Sequence, residues 1–148
     1  MSALALLVIV GAAGLLVASL PMRFAAYVGV GASIVLAAAG FVAVFGPPLV
    51  WQPFHWFGLG PGGVDVDPLA GLFLILAGVV SAPLFLAAVT DGPRAARVLR
   101  PVLVLCVVGV IVVDNVFEFL ILFELTVVAI YALISVRYQH RARDARPH

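Results

Sequence analysis

The sequence contains no lysine and only one cysteine, and charged side chains make up only 10% of its 148 residues. All eight basic residues are arginines and the formal net charge is +1, so the strongly basic surface of a nucleic-acid-binding protein is missing. The single cysteine, Cys106, lies in an apolar run and has no neighbours at metal-ligand spacing. We therefore interpret Cys106 as a small core residue, with no disulfide within the chain.

The usual signatures of an active site are also missing. There is no Ser/His/Asp set, no Gly-rich phosphate loop followed by a helix, and no group of side chains at metal-ligand spacing. His55 stands alone and is interpreted as an interfacial histidine. We expect no catalytic residue, cofactor or metal ion in this chain. Any redox centre would belong to a partner protein, and membership of an enzyme complex stays open.

Hydrophobic side chains are abundant, at 65% of the chain, and one soluble core of ordinary composition cannot bury them. The sequence therefore predicts an all-α integral membrane protein, a bundle of about five transmembrane helices forming a single domain over residues 1–148. The apolar runs place the spans at residues 2–20, 24–45, 68–89, 95–113 and 115–136.

The first apolar run leaves an alternative open. It has the length of a signal peptide, but no basic segment precedes it, and Arg23 follows it instead. We favour a retained first helix. Cleavage of this run would leave four spans with the same inner face.

A loop rich in proline, glycine and aromatic residues joins the second and third spans, with the sequence GPPLVWQPFHWFGLGPGGVDVD from residue 46 to 67. Short extended pieces are expected at Leu49–Trp51 and Val64–Val66. The loop is expected to lie on the outer side of the membrane, and three of its side chains suit a membrane interface: Trp51, Trp56 and Phe57.

Local signals mark the next helices. Asp67 can cap free amides and Pro68 suits a first helical position, so the third span is expected to begin there. A fourth span that begins near Ala95 has Arg97 and Arg100 in its first turns, where both would extend to the membrane surface. In the second span, small residues at four-residue spacing allow close helix approach, although general glycine and alanine richness explains them equally well: Gly29, Ser33 and Ala37.

The arginines predict the topology. They follow the first, third and fifth spans, and the alternate connections have none. Because basic residues accumulate on the cytoplasmic side, we expect the N-terminus outside and the C-terminus inside. Residues 137–148 would form a basic, frayed cytoplasmic tail.

Glu124 is the most unusual residue of the sequence, because it lies within an apolar span. It follows Asp114 by ten positions, which is about 15 Å of helix and half of a hydrocarbon core about 30 Å thick. An ionised carboxylate costs several kcal/mol there unless it is paired, protonated or wetted. We therefore expect the face of Glu124 to contact protein, together with its helical neighbours: Phe117, Leu120, Ile121, Val127, Val128 and Tyr131.

Two stretches resemble a known family. VDVDPLAGLFLILAGVV and VDNVFEFLILFELTVVAIYALI are similar to helices of the antiporter-like, proton-translocating membrane subunits of respiratory complex I, Mrp antiporters and formate hydrogenlyase or hydrogenase-4 type complexes. The second stretch resembles the pattern D-N-x-x-x-F-x-x-F-W-E-L-M. Six residues stand at the family positions: Asp114, Asn115, Phe119, Glu124, Leu125 and Tyr131. Among the departures from the common pattern are Phe123, Thr126 and Ala129.

The resemblance implies a role for Glu124. In that family the glutamate of this helix is the acid of a proton path and is paired with a lysine on a later helix. The resemblance covers the front part of the family fold and stops before the broken helices that carry those lysines. It therefore implies a partner chain that supplies a lysine or a water path opposite Glu124, in a prokaryotic-type cytoplasmic membrane.

The resulting hypothesis is a membrane subunit of a redox-driven ion-translocating complex of the NADH:quinone oxidoreductase or hydrogenase type, assembled with other membrane subunits in the lipid bilayer. Glu124 would relay a proton, and Glu118 and Asp114 would extend the path toward the outer surface. Interface solvation and turn formation are the simpler interpretation of Glu118 and Asp114. The alternatives for the whole chain are a non-catalytic scaffold or assembly subunit and a truncated remnant of an antiporter-like subunit.

Overall fold

The computed structural model describes residues 2–20, 24–56, 58, 60–90 and 93–144, with the backbone alone for residues 54, 56, 88–90 and 141–144. Four of its helices are long and apolar enough to cross a membrane, so the predicted all-α membrane bundle is confirmed. The elements in chain order are α1 (Ala3–Ala18), α2 (Ala25–Phe45), β1 (Leu49–Trp56), β2 (Gly60–Val66), α3 (Pro68–Thr90), α4 (Arg94–Val112) and α5 (Val116–Asp144).

The first helix, α1, is shorter than the other four. Its 16 residues extend about 24 Å, against a hydrocarbon core about 30 Å thick. Ser2 begins the helix by accepting a hydrogen bond from the Ala5 N–H at 3.2 Å. Gly11 leaves room for Leu36 of α2, whose Cδ2 would lie 2.7 Å from a Cβ at that glycine. That α1 crosses the membrane stays a prediction.

The backbones of helices α2 and α3 lie almost in contact with each other. A Cβ added at Gly40 would lie 2.4 Å from the Gly71 carbonyl oxygen, and one at Gly78 would lie 2.5 Å from the Ser33 carbonyl oxygen. The close helix approach predicted from small residues is therefore confirmed. Its polar component was not predicted: the Ser81 hydroxyl donates to Ser33 Oγ at 2.8 Å inside this interface.

The predicted helix starts are confirmed to within one residue. Helix α3 begins at Pro68, and the Ala70 N–H donates to Asp67 Oδ1 at 2.6 Å, which is the expected cap. Helix α4 begins at Arg94, one residue before the expected start.

Two expectations at the ends of α4 and α5 were wrong. The tail after the last span is not frayed from residue 137, because α5 continues as a helix to Asp144. Arginine, glutamine and alanine are good helix formers and no breaker occurs before Pro147, so the helix can continue beyond the apolar segment. Arg97 is exposed as predicted, but Arg100 is only 3% exposed, because it lies one turn after the fully buried Ala96 on the inward face of α4.

The long loop forms a two-stranded antiparallel hairpin. Leu49 pairs with Val66 and Trp51 with Val64, which confirms the two extended pieces and lengthens both. The pairing is irregular between Trp51 and Phe54, where Pro53 has no N–H to donate. The side chains of Trp51 and His55 are exposed, whereas those of Trp56 and Phe57 lie outside the described residues, as does the basic residue Arg23.

Candidate functional site around Glu124

The rotation of α5 about its axis places Glu124 away from the bundle. Helix α5 packs on α4 through one face, on which Ala129 is buried and Leu122 lies against Gly109. A Cβ at Gly109 would lie 3.0 Å from Leu122 Cδ1, so the glycine admits the leucine. At about 100° per residue, Glu124 is about 200° from Leu122 around the helix. Its side chain is accordingly exposed.

The whole face around Glu124 is uncovered by this chain. In the most apolar 18-residue segment of α5, only 6% of the segment is buried inside the protein. The corresponding values for α2, α3 and α4 are 33–39%. Tyr131, one heptad after Glu124, is 73% exposed. The rest of this face is exposed as well: Phe117, Leu120, Ile121, Val127 and Val128. The expectation that this face contacts protein is therefore not met within the described chain, and coverage by another chain stays a prediction.

The N-terminus of α5 is held by the hairpin. Asn115 Oδ1 accepts from the Phe117 N–H at 2.8 Å, which caps the helix, and Asn115 Nδ2 donates to the Pro61 carbonyl at 2.8 Å. The Asp114 N–H donates to the Gly63 carbonyl at 3.2 Å, and Gln52 Nε2 donates to Asp114 Oδ2. Asp114 and Asn115 thus join the α4–α5 turn to both strands of the hairpin.

Glu118 also contacts the hairpin. Its Oε2 accepts from the Gly63 N–H at 3.2 Å, and its side chain is partly buried. Both carboxylates therefore hold the hairpin against the start of α5. This agrees with the simpler interpretation of Asp114 and Glu118, which was interface solvation and turn formation. A proton-relay role for them stays a prediction.

The three predicted relay residues occupy two places. Asp114 and Glu118 are four residues apart and lie together at the hairpin end of α5. Glu124 is six residues further along, about 9 Å up the axis and about 120° around it from Glu118. The structure brings Asp114 and Glu118 together but not Glu124, so any transfer between Glu118 and Glu124 requires water or a group from another chain.

Two shallow depressions flank Asp114, with volumes of about 520 Å³ and about 500 Å³. Asp65 and Asp67 line the second one together with Asp114. Burial raises the pKa of the Asp65 carboxyl above its ordinary value, and the negative charges of Asp114 and Asp67 raise it further. Protons can therefore be held at this end of the molecule more readily than on an isolated aspartate.

The docking of the hairpin on α5 was missed from the sequence. Gly63, the contact residue on the hairpin, is required by the pairing of the two strands, since a Cβ there would lie 2.1 Å from the Trp51 carbonyl oxygen of β1. Such a close approach requires glycine. The sequence contained that glycine but not the identity of the atoms it would meet.

Among the residues that the structure describes, no group of three or more His, Cys, Asp or Glu side chains could hold a metal ion. The carboxyl groups of the arrangement are groups that can take up and release protons. Comparison of this chain with protein-family models, with curated proteins and with solved structures gave no match.

Proposed function

We propose that the protein is a membrane subunit of a redox-driven ion-translocating complex, in which Glu124 contributes a protonatable carboxyl group to a path completed by other chains. The observation that carries the proposal is the placement of Glu124, which is exposed, on the uncovered face, in the middle of an apolar helix. The resemblance of the sequence around Asp114 and Glu124 to antiporter-like subunits supports the same role.

A carboxyl group suits this task because its proton affinity follows its surroundings. Desolvation favours the protonated form and an approaching cation favours the ionised form. The chain contains no lysine, and the arginines with described positions lie in the first two turns of α4 or in the C-terminal part of α5, 13 or more residues after Glu124. The cation or water chain opposite Glu124 would therefore come from a neighbouring subunit, which would also cover the exposed α5 face.

The scaffold alternative rests on a different set of contacts. Asp114, Asn115 and Glu118 all serve to hold the hairpin on α5. If Glu124 does the same for a partner helix, it is a protonated carboxyl that donates a hydrogen bond and never changes state. The truncated-remnant alternative predicts no associated subunits at all.

The test begins with gentle extraction from the native membrane, a native gel and identification of the co-migrating chains by mass spectrometry. We expect quinone-reductase-like or hydrogenase-like subunits and a second antiporter-like chain. Migration of the protein alone would remove the support for the relay.

Glu124→Gln then separates relay from scaffold, because it keeps size and hydrogen bonding but removes the titratable charge. We expect donor-driven proton uptake by membrane vesicles to fall at least about tenfold while assembly on the native gel is unchanged. Tyr131→Phe is the matched control, since it alters a polar group on the same face without touching the carboxyl. Normal proton uptake by an assembled Glu124→Gln complex, together with failed assembly of Glu124→Leu, would support the scaffold.

A further inference from the structure

One of the two depressions beside Asp114 follows α5 toward Glu124. Its volume is about 520 Å³, and it extends from the hairpin to Leu120. Leu120 lies six positions after Asp114, about 9 Å along the helix, and Glu124 lies about 6 Å further. This is the α5 depression, and its lining residues are Pro61, Asp114, Asn115, Val116, Phe117 and Leu120.

The lower end of the α5 depression lies on the same face of the helix as Glu124. At about 100° per residue, Leu120 is about 40° and Phe117 about 20° from Glu124 around the axis. Both side chains are exposed, by 52% for Leu120 and 37% for Phe117. Because a Cα–Cβ bond in a helix tilts toward the N-terminus, a side chain covers the turn that precedes its own Cα. Glu124 therefore extends back toward the lower end of the depression.

The upper end of the α5 depression is polar. The Asp114 side chain is exposed, and its carboxylate accepts a hydrogen bond from Gln52 Nε2. The Pro61 carbonyl accepts from Asn115 Nδ2 at 2.8 Å. A carboxylate offers about four lone-pair sites and a carbonyl two, so both groups can accept further hydrogen bonds from water. This end precedes the membrane-spanning helix, so water can enter the depression from the membrane surface.

Glu118 lies away from the α5 depression. It does not line the depression, its side chain is partly buried, and its Oε2 accepts from the Gly63 N–H at 3.2 Å. Around the helix it is about 120° from Glu124, whereas Leu120 is only about 40° away. The α5 depression therefore leads from Asp114 to the face of Glu124 without involving Glu118.

We propose that water and protons reach Glu124 from the hairpin side along the α5 depression, with Phe117 and Leu120 as the side chains that control entry. The inference rests on the proposed function, because it takes Glu124 as the group that binds the proton. The subunit that covers the α5 face would close the depression on its outer side and keep lipid out of it. Phe117 and Leu120 then form an apolar constriction between Asp114 and Glu124, whose width decides how readily water passes.

Cysteine accessibility in the native membrane tests this route in the assembled complex. The reagent is a small, charged, membrane-impermeant methanethiosulfonate, which reacts with a thiolate and therefore with a cysteine that contacts water. We expect Glu124→Cys to react at least about tenfold faster than Phe123→Cys. Leu120→Cys should exceed Phe119→Cys by a similar factor. Each control lies one position earlier, at nearly the same depth but about 100° around the helix.

Labelling of right-side-out and inside-out membrane vesicles identifies the side of entry. Val50→Cys marks the hairpin side, because Val50 is 57% exposed on β1. We expect Glu124→Cys to be labelled only from the side that labels Val50→Cys. The wild type gives the background, since Cys106 is buried. Labelling of Glu124→Cys from the opposite side only, labelling equal to that of Phe123→Cys, or no labelling from either side would overturn the route.

Donor-driven proton uptake gives a second measurement. Leu120→Trp places a larger side chain in the constriction and should lower uptake about fivefold in complexes that assemble normally. Glu118→Gln should keep uptake, since its amide oxygen can still accept from the Gly63 N–H. Loss of uptake in an assembled Glu118→Gln complex would return the path to Glu118 and overturn the proposal. The cysteine measurements stand even if Leu120→Trp fails to fold.

Failure of the route and failure of the proposed function give different results. Normal uptake by Glu124→Gln, with Leu120→Cys and Glu124→Cys still labelled from the hairpin side, would remove the relay and leave a water-filled depression. Loss of uptake in Glu124→Gln, with neither cysteine labelled, would keep the relay and overturn the route.

Discussion

Helices α2 and α5 are both apolar enough to cross a membrane, but they meet the rest of the chain in opposite ways. Helix α2 lies close to α3, through glycines whose missing Cβ atoms admit the opposing backbone and through a buried Ser33–Ser81 hydrogen bond. Helix α5 contacts α4 by one face only and exposes the face that carries Glu124. The pair α2–α3 is thus closely packed within the chain, whereas the Glu124 face of α5 is uncovered by the described residues.

The difference shows how polar groups in apolar helices are accommodated. In α2 the polar group is a hydroxyl, and Ser33 satisfies it locally by donating to the Gly29 carbonyl at 2.8 Å. In α5 the hydroxyl of Thr126 likewise donates to the Leu122 carbonyl at 2.8 Å, but the carboxyl of Glu124 cannot be satisfied by a neighbouring carbonyl when it is ionised. A hydroxyl can therefore be buried between two packed helices. The carboxyl of Glu124 requires a hydrogen-bonding partner, contact with water, or protonation.

We expect the largest effect on stability from disturbing the packing of α2 against α3. Gly40→Ala should destabilise the protein by about 1–3 kcal/mol, because the new Cβ would lie 2.4 Å from the Gly71 carbonyl oxygen and 2.7 Å from the Ile75 nitrogen. The measurement is thermal or denaturant unfolding in detergent. Gly31→Ala is the matched control on the same helix, since nothing lies within 4 Å of its Cβ.

Gly31→Ala should leave stability unchanged or raise it by about 0.5–1 kcal/mol, through the better helix propensity of alanine. Equal destabilisation by the two substitutions would mean that α2 and α3 are not in close contact. The contrast with α5 would then disappear.

A smaller effect is expected where α5 is attached to the hairpin. Asn115→Ala should cost about 1–2 kcal/mol, because it removes both the cap of the Phe117 N–H and the hydrogen bond to the Pro61 carbonyl. Asn115→Asp keeps the capping oxygen and loses only the donor, so it should cost about half as much. Unfolding curves measure both, and limited proteolysis of the hairpin reports its release. If both variants retain wild-type protection, the hairpin is not held by Asn115.

The smallest effect is a pH dependence at the hairpin end. The pKa of Asp65 is raised in the folded protein, so the folded state binds more protons than the unfolded state between the ordinary pKa of 3.8 and the raised value. Stability contributed by the neutral carboxyl is therefore fully present at low pH and is lost as the pH rises through that window. Unfolding midpoints measured from pH 3 to pH 7 should show this decline in the wild type relative to Asp65→Asn. Parallel profiles for the two proteins would contradict it.

Much of the fold follows from the sequence because the relevant signals are local. Apolar run length predicted the four long helices, and Asp67 followed by Pro68 predicted the start of α3 to the residue. The extended pieces at Leu49–Trp51 and Val64–Val66 were also predicted. Wrong predictions arose where local signals ended: α5 continues past residue 136 because helix formers follow it, and Arg100 points inward because of its place on the α4 face.

By itself, the sequence determined that this is a membrane bundle with an acid in the middle of its last apolar span, since composition, run length and residue position decide those properties. Only the tertiary structure decided where each side chain of a span points. The rotation of α5 about its axis places Glu124 on the exposed face, and the docking of the hairpin turns Asp114 and Glu118 into anchors. Rotation and docking depend on contacts between segments far apart in the chain, such as Leu122 with Gly109 and Glu118 with Gly63, and no local pattern specifies them.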